Sequence, residues 1–149
     1  MYDILIKGGR VVDGSGAPAY RADVALQDGR VAAVGAALPG GARRVIGAEG
    51  RIVAPGFIDP HTHFDVQLLW DGAARPALEP GWAGDVVVFD PDTIGRGEER
   101  PVFDMPGGGM RYIRDAVGID TVVVNGEVAW TAGAYTDAAA AAGAICALN

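Results

Sequence analysis

ADVALQDGRVAAVG, residues 22–35, and TVVVNGEVAW, residues 121–130, carry the strongest fold signals in the chain. In each, a β-branched, apolar-rich run is broken by a two-residue step, Asp28-Gly29 in one and Asn125-Gly126 in the other. These dipeptides supply the positive φ angles that a type I′ turn demands, so each stretch predicts a hairpin. On either side of them, Asp3–Lys7, Arg10–Val12, Arg30–Val34 and Val45–Ile46 are short apolar runs bounded by Gly or Pro and read as strands. DVVVFD, residues 85–90, is continuously apolar between acidic ends, which suits a central strand buried on both faces. The chain is expected to be mainly β, a small β-sandwich.

Length and charge narrow the possibilities. A (β/α)₈ barrel takes roughly 200 residues or more, so 149 residues exclude a complete one. With 23 Gly and 9 Pro the chain stays below the composition of low-complexity disorder, and half its residues are hydrophobic. The net charge of −7 leaves no basic stripe for a phosphate backbone, so nucleic acid is not an expected partner. The longest apolar stretches, such as Ala138 to Leu148, fall short of the ~20 residues that cross a bilayer, so no membrane partner and a cytoplasmic location are expected. The single cysteine, Cys146, can form neither an internal disulfide nor a CxxC metal site.

Two regions break the strand pattern. Phe57 to Trp70 reads as an extended excursion and Gly72 to Pro80 as a linker. Pro91 to Gly109, with Pro101, Pro106 and Gly107-Gly108-Gly109, reads as a long surface loop, its Glu98, Glu99 and Asp104 forming a solvated face. Gly8-Gly9 reads as a joint between two strands. Trp130 alternates within a strand and reads as core, and Trp82 as packing. At the end, Thr136 or Asp137 could cap a short alanine-rich helix that Gly143 interrupts.

The candidate chemistry is concentrated in His61-Thr62-His63. On a strand, residues two apart share a face, so both imidazoles could reach one cation. Asp65 would lie about 13 Å from His61 on a continuous strand, too far to share the ion. Two ligands remain, whereas a catalytic zinc takes three from protein and a structural zinc four. Zinc is the metal that His61 and His63 could hold, at a site that one chain leaves incomplete, and two bland surface histidines are the alternative reading of so short a motif. Ser15, in Asp-Gly-Ser-Gly, lacks the GxSxG setting of a nucleophile and reads as a turn residue. Gly107-Gly108-Gly109 lacks the following Lys-Ser/Thr of a phosphate-binding loop.

MYDILIKGGRVVDGSGAPAYRADVALQDGRVAAVG, RIVAPGFIDPHTHFDVQLLWD, PGWAGDVVVFDPDTIG and TVVVNGEVAW together resemble the amidohydrolase superfamily, and most nearly its N-acyl-D-amino-acid deacylases. The resemblance implies a β-sandwich assembled from both chain ends, residues 1–56 and 81–135, with a metal-bearing barrel inserted between them. That barrel is here almost entirely missing: residues 57–71 correspond to a remnant of its first strand, 72–80 to a linker in its place, and 136–149 to a helical or frayed tail. His61 and His63 match the paired histidines of that first strand. The bridging residue, two further histidines and the aspartate that the family supplies next have no matching positions, since Cys146 lies in the wrong context and Asp71 and Asp85 merely flank the deletion. The isolated chain is accordingly expected to be a non-catalytic part of a hydrolase. Two alternatives stand beside this reading: a separately encoded barrel chain restores a deacylase, or the apolar strand 57–71 drives homodimerisation, where four histidines from two copies would make a closed zinc site.

Overall fold

The computed structural model describes residues 1–56 and 77–138. They form eleven strands: β1 Tyr2–Val11, β2 Tyr20–Gln27, β3 Arg30–Gly35, β4 Ala42–Gly47, β5 Ile52–Pro55, β6 Val86–Phe89, β7 Gly95–Met105, β8 Gly109–Val117, β9 Ile119–Val124, β10 Glu127–Thr131 and β11 Ala134–Tyr135. Nine of them make one sheet in the order β11-β10-β9-β6-β5-β1-β2-β3, with β4 also paired to β1, while β7 and β8 form a separate two-stranded ribbon. Among the described residues the chain is mainly β, as its sequence implies, and no helix is long and apolar enough to cross a membrane. The tail helix expected after Thr136 falls on residues outside those described, apart from its first positions.

Both type I′ hairpins form. Asp28 and Gly29 have φ of 52° and 74°, Asn125 and Gly126 of 49° and 76°. The sheet curls until these two turns meet: Gly84 N–H donates to Gly29 O (2.8 Å), Gly126 N–H donates to Gly84 O (3.0 Å), and Arg30 bridges Ala83. A Cβ on Gly84 would stand 2.9 Å from Gly29 O, so only glycine permits the approach. Curling brings the inner faces of the two halves together in a sandwich-like arrangement. Ile4, Ile6, Val24, Leu26 and Val53 from the first half pack there with Val86, Val88, Val123 and Val128 from the second.

The runs Asp3–Lys7 and Arg10–Val12 are not two strands joined by Gly8-Gly9. They belong to a single strand, β1, and the glycines make a bulge in it, where the register jumps from Ile6↔Val24 to Gly9↔Ala22. Gly8 takes φ of +73° and donates its N–H to Asp23 Oδ1 (2.9 Å), a buried carboxylate that also accepts from Leu38 N–H (3.2 Å). The extra residue shifts the inward-facing parity from Ile4 and Ile6 to Val11. It also changes the neighbour on that edge: before the bulge β1 pairs in parallel with β4, after it with β5.

β6 is the central strand that DVVVFD predicts, paired to β5 on one side and β9 on the other. Val86 and Val88 face the main core, and Val87 joins Ile52 and Ala54 in a second cluster on the opposite face. Both faces are buried, which is why the run has no polar alternation.

The loop expected over Pro91–Gly109 is instead most of the β7–β8 ribbon. Its strands are held by ion pairs across the ladder, Arg111–Asp104 (2.6 Å), Arg114–Glu99 (2.7 Å) and Arg100–Asp115 (3.1 Å). Glu99 and Asp104 are solvated, but as strand residues with arginine partners. Gly107 and Gly108, both at φ of +76°, turn the chain between the strands. The tryptophans also depart from expectation. Trp130 is half-buried rather than core, edge-on to Tyr135 with centroids 4.9 Å apart, and Trp82 is 41% exposed.

Candidate functional site

The candidate site begins where the chain leaves the sheet after β5 and ends where it returns before β6. Gly56 N–H donates to Asp85 O (2.9 Å), so the two limbs of the excursion lie one strand spacing apart. The returning limb is anchored by Leu78, which is buried in the main core and whose N–H donates to Asp13 O (3.0 Å). Arg30 reaches the same limb, its guanidinium donating to Gly81 O (2.7 Å). Asp85, at the foot of the returning limb, has a structural role. Its Oδ1 accepts from Asn125 N–H (2.7 Å) and fastens the β9–β10 turn.

His61, His63, Asp65 and Asp71 lie outside the described residues, as does Cys146. Among the described residues no group of three or more His, Cys, Asp or Glu could hold a metal ion. With two histidines in the whole sequence, one chain offers two imidazoles where zinc takes three or four protein ligands. Among the described residues the donor set does not fit a zinc centre.

Ser15 takes the turn role its sequence context indicates. Its N–H (2.9 Å) and Oγ (2.6 Å) both donate to Asp13 Oδ1, and Tyr20 donates its hydroxyl to Asp13 Oδ2 (3.1 Å). The Ser15 hydroxyl, then the Ser15 N–H, hold the Asp13 carboxyl below its ordinary range. Tyr20 is pushed up, first by burial and then by Asp13. The Asp13 carboxylate that accepts from Ser15 is tied up in these turn contacts, and the group fixes the turn between β1 and β2 close to the Leu78 anchor.

One electrostatic feature of the sheet is not evident from sequence. Arg51, at the start of β5, pairs with Asp90 (2.9 Å) just past β6 and with Asp120 in β9, clamping three strands together. The acidic residue closing DVVVFD is the available signal. The clamp lies at the opposite end of β5 and β6 from the excursion, so it supports the frame rather than the site.

Residues 44–80 match the amidohydrolase family, a span that contains PGFIDPHTH. The chain is 47% identical over 77 residues to N-acyl-D-glutamate deacylase of Alcaligenes xylosoxydans xylosoxydans, which covers 52% of this chain and 15% of that protein. It is 41% identical over 92 residues to an allantoinase of Solibacter usitatus, covering 60% of this chain and 20% of that enzyme. A solved structure, N-acyl-D-glutamate deacylase of Bordetella bronchiseptica with zinc and a phosphonate inhibitor, shares 52% identity over 39% of this chain and 12% of its own, with a TM-score of 0.37. The chain is thus similar to amidohydrolases, and D-aminoacylase-like deacylases are among the relatives it resembles. It spans about a fifth or less of the length of these relatives.

Proposed function

We propose that this chain is the non-catalytic β module of a D-aminoacylase-like, metal-dependent amidohydrolase, the kind that hydrolyses the C–N bond of N-acyl-D-amino acids, and that by itself it does not deacylate. The observation that carries this reading is the pairing of β5 with β6. The family likeness runs through residues 44–80, yet only residues 56–85 join these strands, where a barrel takes roughly 200 residues or more. Amide hydrolysis in such enzymes needs a cation to polarise the carbonyl and activate water, and a carboxylate to move the proton. His61 and His63 are the residues of this chain that would hold zinc, and two donors leave that centre incomplete. What the chain's own residues do is hold the two limbs of the excursion side by side.

The test is release of free amino acid from a panel of N-acyl-D-amino acids by the purified, zinc-loaded chain. No release above a His61→Ala/His63→Ala control is expected, and zinc-dependent release lost in that control would overturn the reading. The short span shared with much longer relatives supports a second reading, a deacylase restored by a barrel chain supplied in trans. Activity that arises only on adding such a chain would select it.

A further inference from the structure

The β7–β8 ribbon stands apart from the main sheet, and among the described residues its only strand pairing is internal. Its two outer edges differ. β7 carries both register irregularities of the pair, with three residues spanning two on β8 at Arg96–Glu99 and again at Val102–Met105, and it contains Pro101, which has no N–H to donate. Bulges and proline are what blunts an edge against pairing. β8 has neither. It is nine residues of regular strand, Gly109–Val117, exposed along its length except for half-buried Ile113.

The sequence of that open edge is complementary to itself. When β8 lies antiparallel to a second copy about a two-fold axis at Ile113, Arg111 stands opposite Asp115, Tyr112 opposite Arg114, and Met110 opposite Ala116, each pair occurring twice. Alternation puts Arg111, Ile113 and Asp115 on one face and Met110, Tyr112, Arg114 and Ala116 on the other. The pairs within each ribbon extend the pattern. Because Asp104 already holds Arg111 and Arg100 already holds Asp115, the four strands would carry the row Asp104, Arg111, Asp115 and Arg100, the last two from the second copy, with charges alternating throughout. On the other face Glu99 holds Arg114, which would lie against the ring of Tyr112 of the second copy. The side chains are free to take a second partner, since Arg111 and Asp115 are 54% and 68% exposed.

We propose that the chain forms a homodimer by antiparallel β8–β8 pairing, which joins two ribbons into one four-stranded sheet. An isologous contact of this kind requires a surface that matches itself, and opposite charges directly across a strand pair stabilise it while like charges oppose it. The pairing is independent of the excursion at residues 57–76 and of any role in deacylation.

Two variants test it without disturbing the ribbon itself. Asp104→Arg with Arg111→Asp reverses one internal ion pair, and Arg100→Asp with Asp115→Arg reverses the other, so each ribbon keeps its own pairs. In the first, carboxylates at 111 and 115 face each other across the axis; in the second, guanidinium groups do. Sedimentation of the full chain over a concentration series is expected to show a dimer for the unaltered protein, dissociation constants raised about tenfold or more for each variant alone, and a dimer again when the two variants are mixed. High salt should weaken the unaltered dimer, because at about 1 M the screening length falls to roughly 3 Å. A monomer at every concentration overturns the proposal. So does a dimer that neither variant weakens, which would place the interface elsewhere.

Discussion

The main sheet and the β7–β8 ribbon are built from the same kind of ladder and held by opposite means. In the sheet, Ile6, Val24, Leu26 and Val88 are wholly buried and the strands are anchored by their inner faces. In the ribbon, Phe103 and Tyr112 are 70% and 60% exposed, and three arginine–carboxylate pairs cross between the strands. Solvent-exposed ion pairs each contribute little, about 0–1 kcal/mol, and an isolated two-stranded ribbon is marginal. Stability therefore belongs to the sheet, and the ribbon borrows its position from β6 and β9, between which it is inserted.

A cavity in the sheet should produce the largest loss. Leu26→Ala removes a wholly buried side chain and is expected to cost about 2–5 kcal/mol in chemical denaturation. Gly84→Ala attacks the closure instead. Its new methyl would press on Gly29 O at 2.9 Å, and a cost of about 1–3 kcal/mol in the same measurement is expected as the two turns part.

A smaller effect comes from the Asp13 turn. The folded carboxyl has its affinity for protons lowered, so its contribution is present above the ordinary aspartate range and is lost as pH falls through the folded value. Asp13→Asn should cost about 0.5–1.5 kcal/mol near neutral pH, and the difference from the unaltered protein should shrink as the pH falls below the ordinary aspartate range in thermal melts followed by circular dichroism. Least affected of all, Tyr112→Ser in the exposed ribbon should change monomer stability by less than about 0.5 kcal/mol. Amide exchange separates the two regions directly, with β8 amides of the dilute monomer exchanging faster than those of β2.

The same contrast governs what the sequence discloses. The hairpins at Asp28-Gly29 and Asn125-Gly126 are legible because positive φ at two successive positions restricts the residues allowed there. β6 is legible because burial on both faces leaves no polar residue between Val86 and Phe89. The ribbon reads as a loop because Arg-Gly-Glu-Glu-Arg-Pro shows no apolar period, and its cross-strand pairs link residues as far apart as Arg100 and Asp115. The bulge in β1 is hidden because Gly8-Gly9 carries the same local signal whether a strand ends or slips by one. Trp82 misleads through its type, since an aromatic ring says nothing of which side of the chain is covered. Of the candidate site, the pair His61 and His63 is legible as a motif, while the frame formed by Gly56, Leu78 and Asp85 depends on contacts between residues far apart in sequence.

One hydrogen bond, Gly56 N–H to Asp85 O, has a reach beyond local geometry. It makes the sheet complete on either side of the excursion, so whatever the chain carries between those two residues need only begin and end side by side. Closing a loop costs only about 0.6 kcal/mol more for each doubling of its length. A sheet with such a seam tolerates a bridge of a few dozen residues or a whole inserted domain at nearly the same free energy, and it behaves as a clasp whose strength is set by its own strands rather than by what hangs from it.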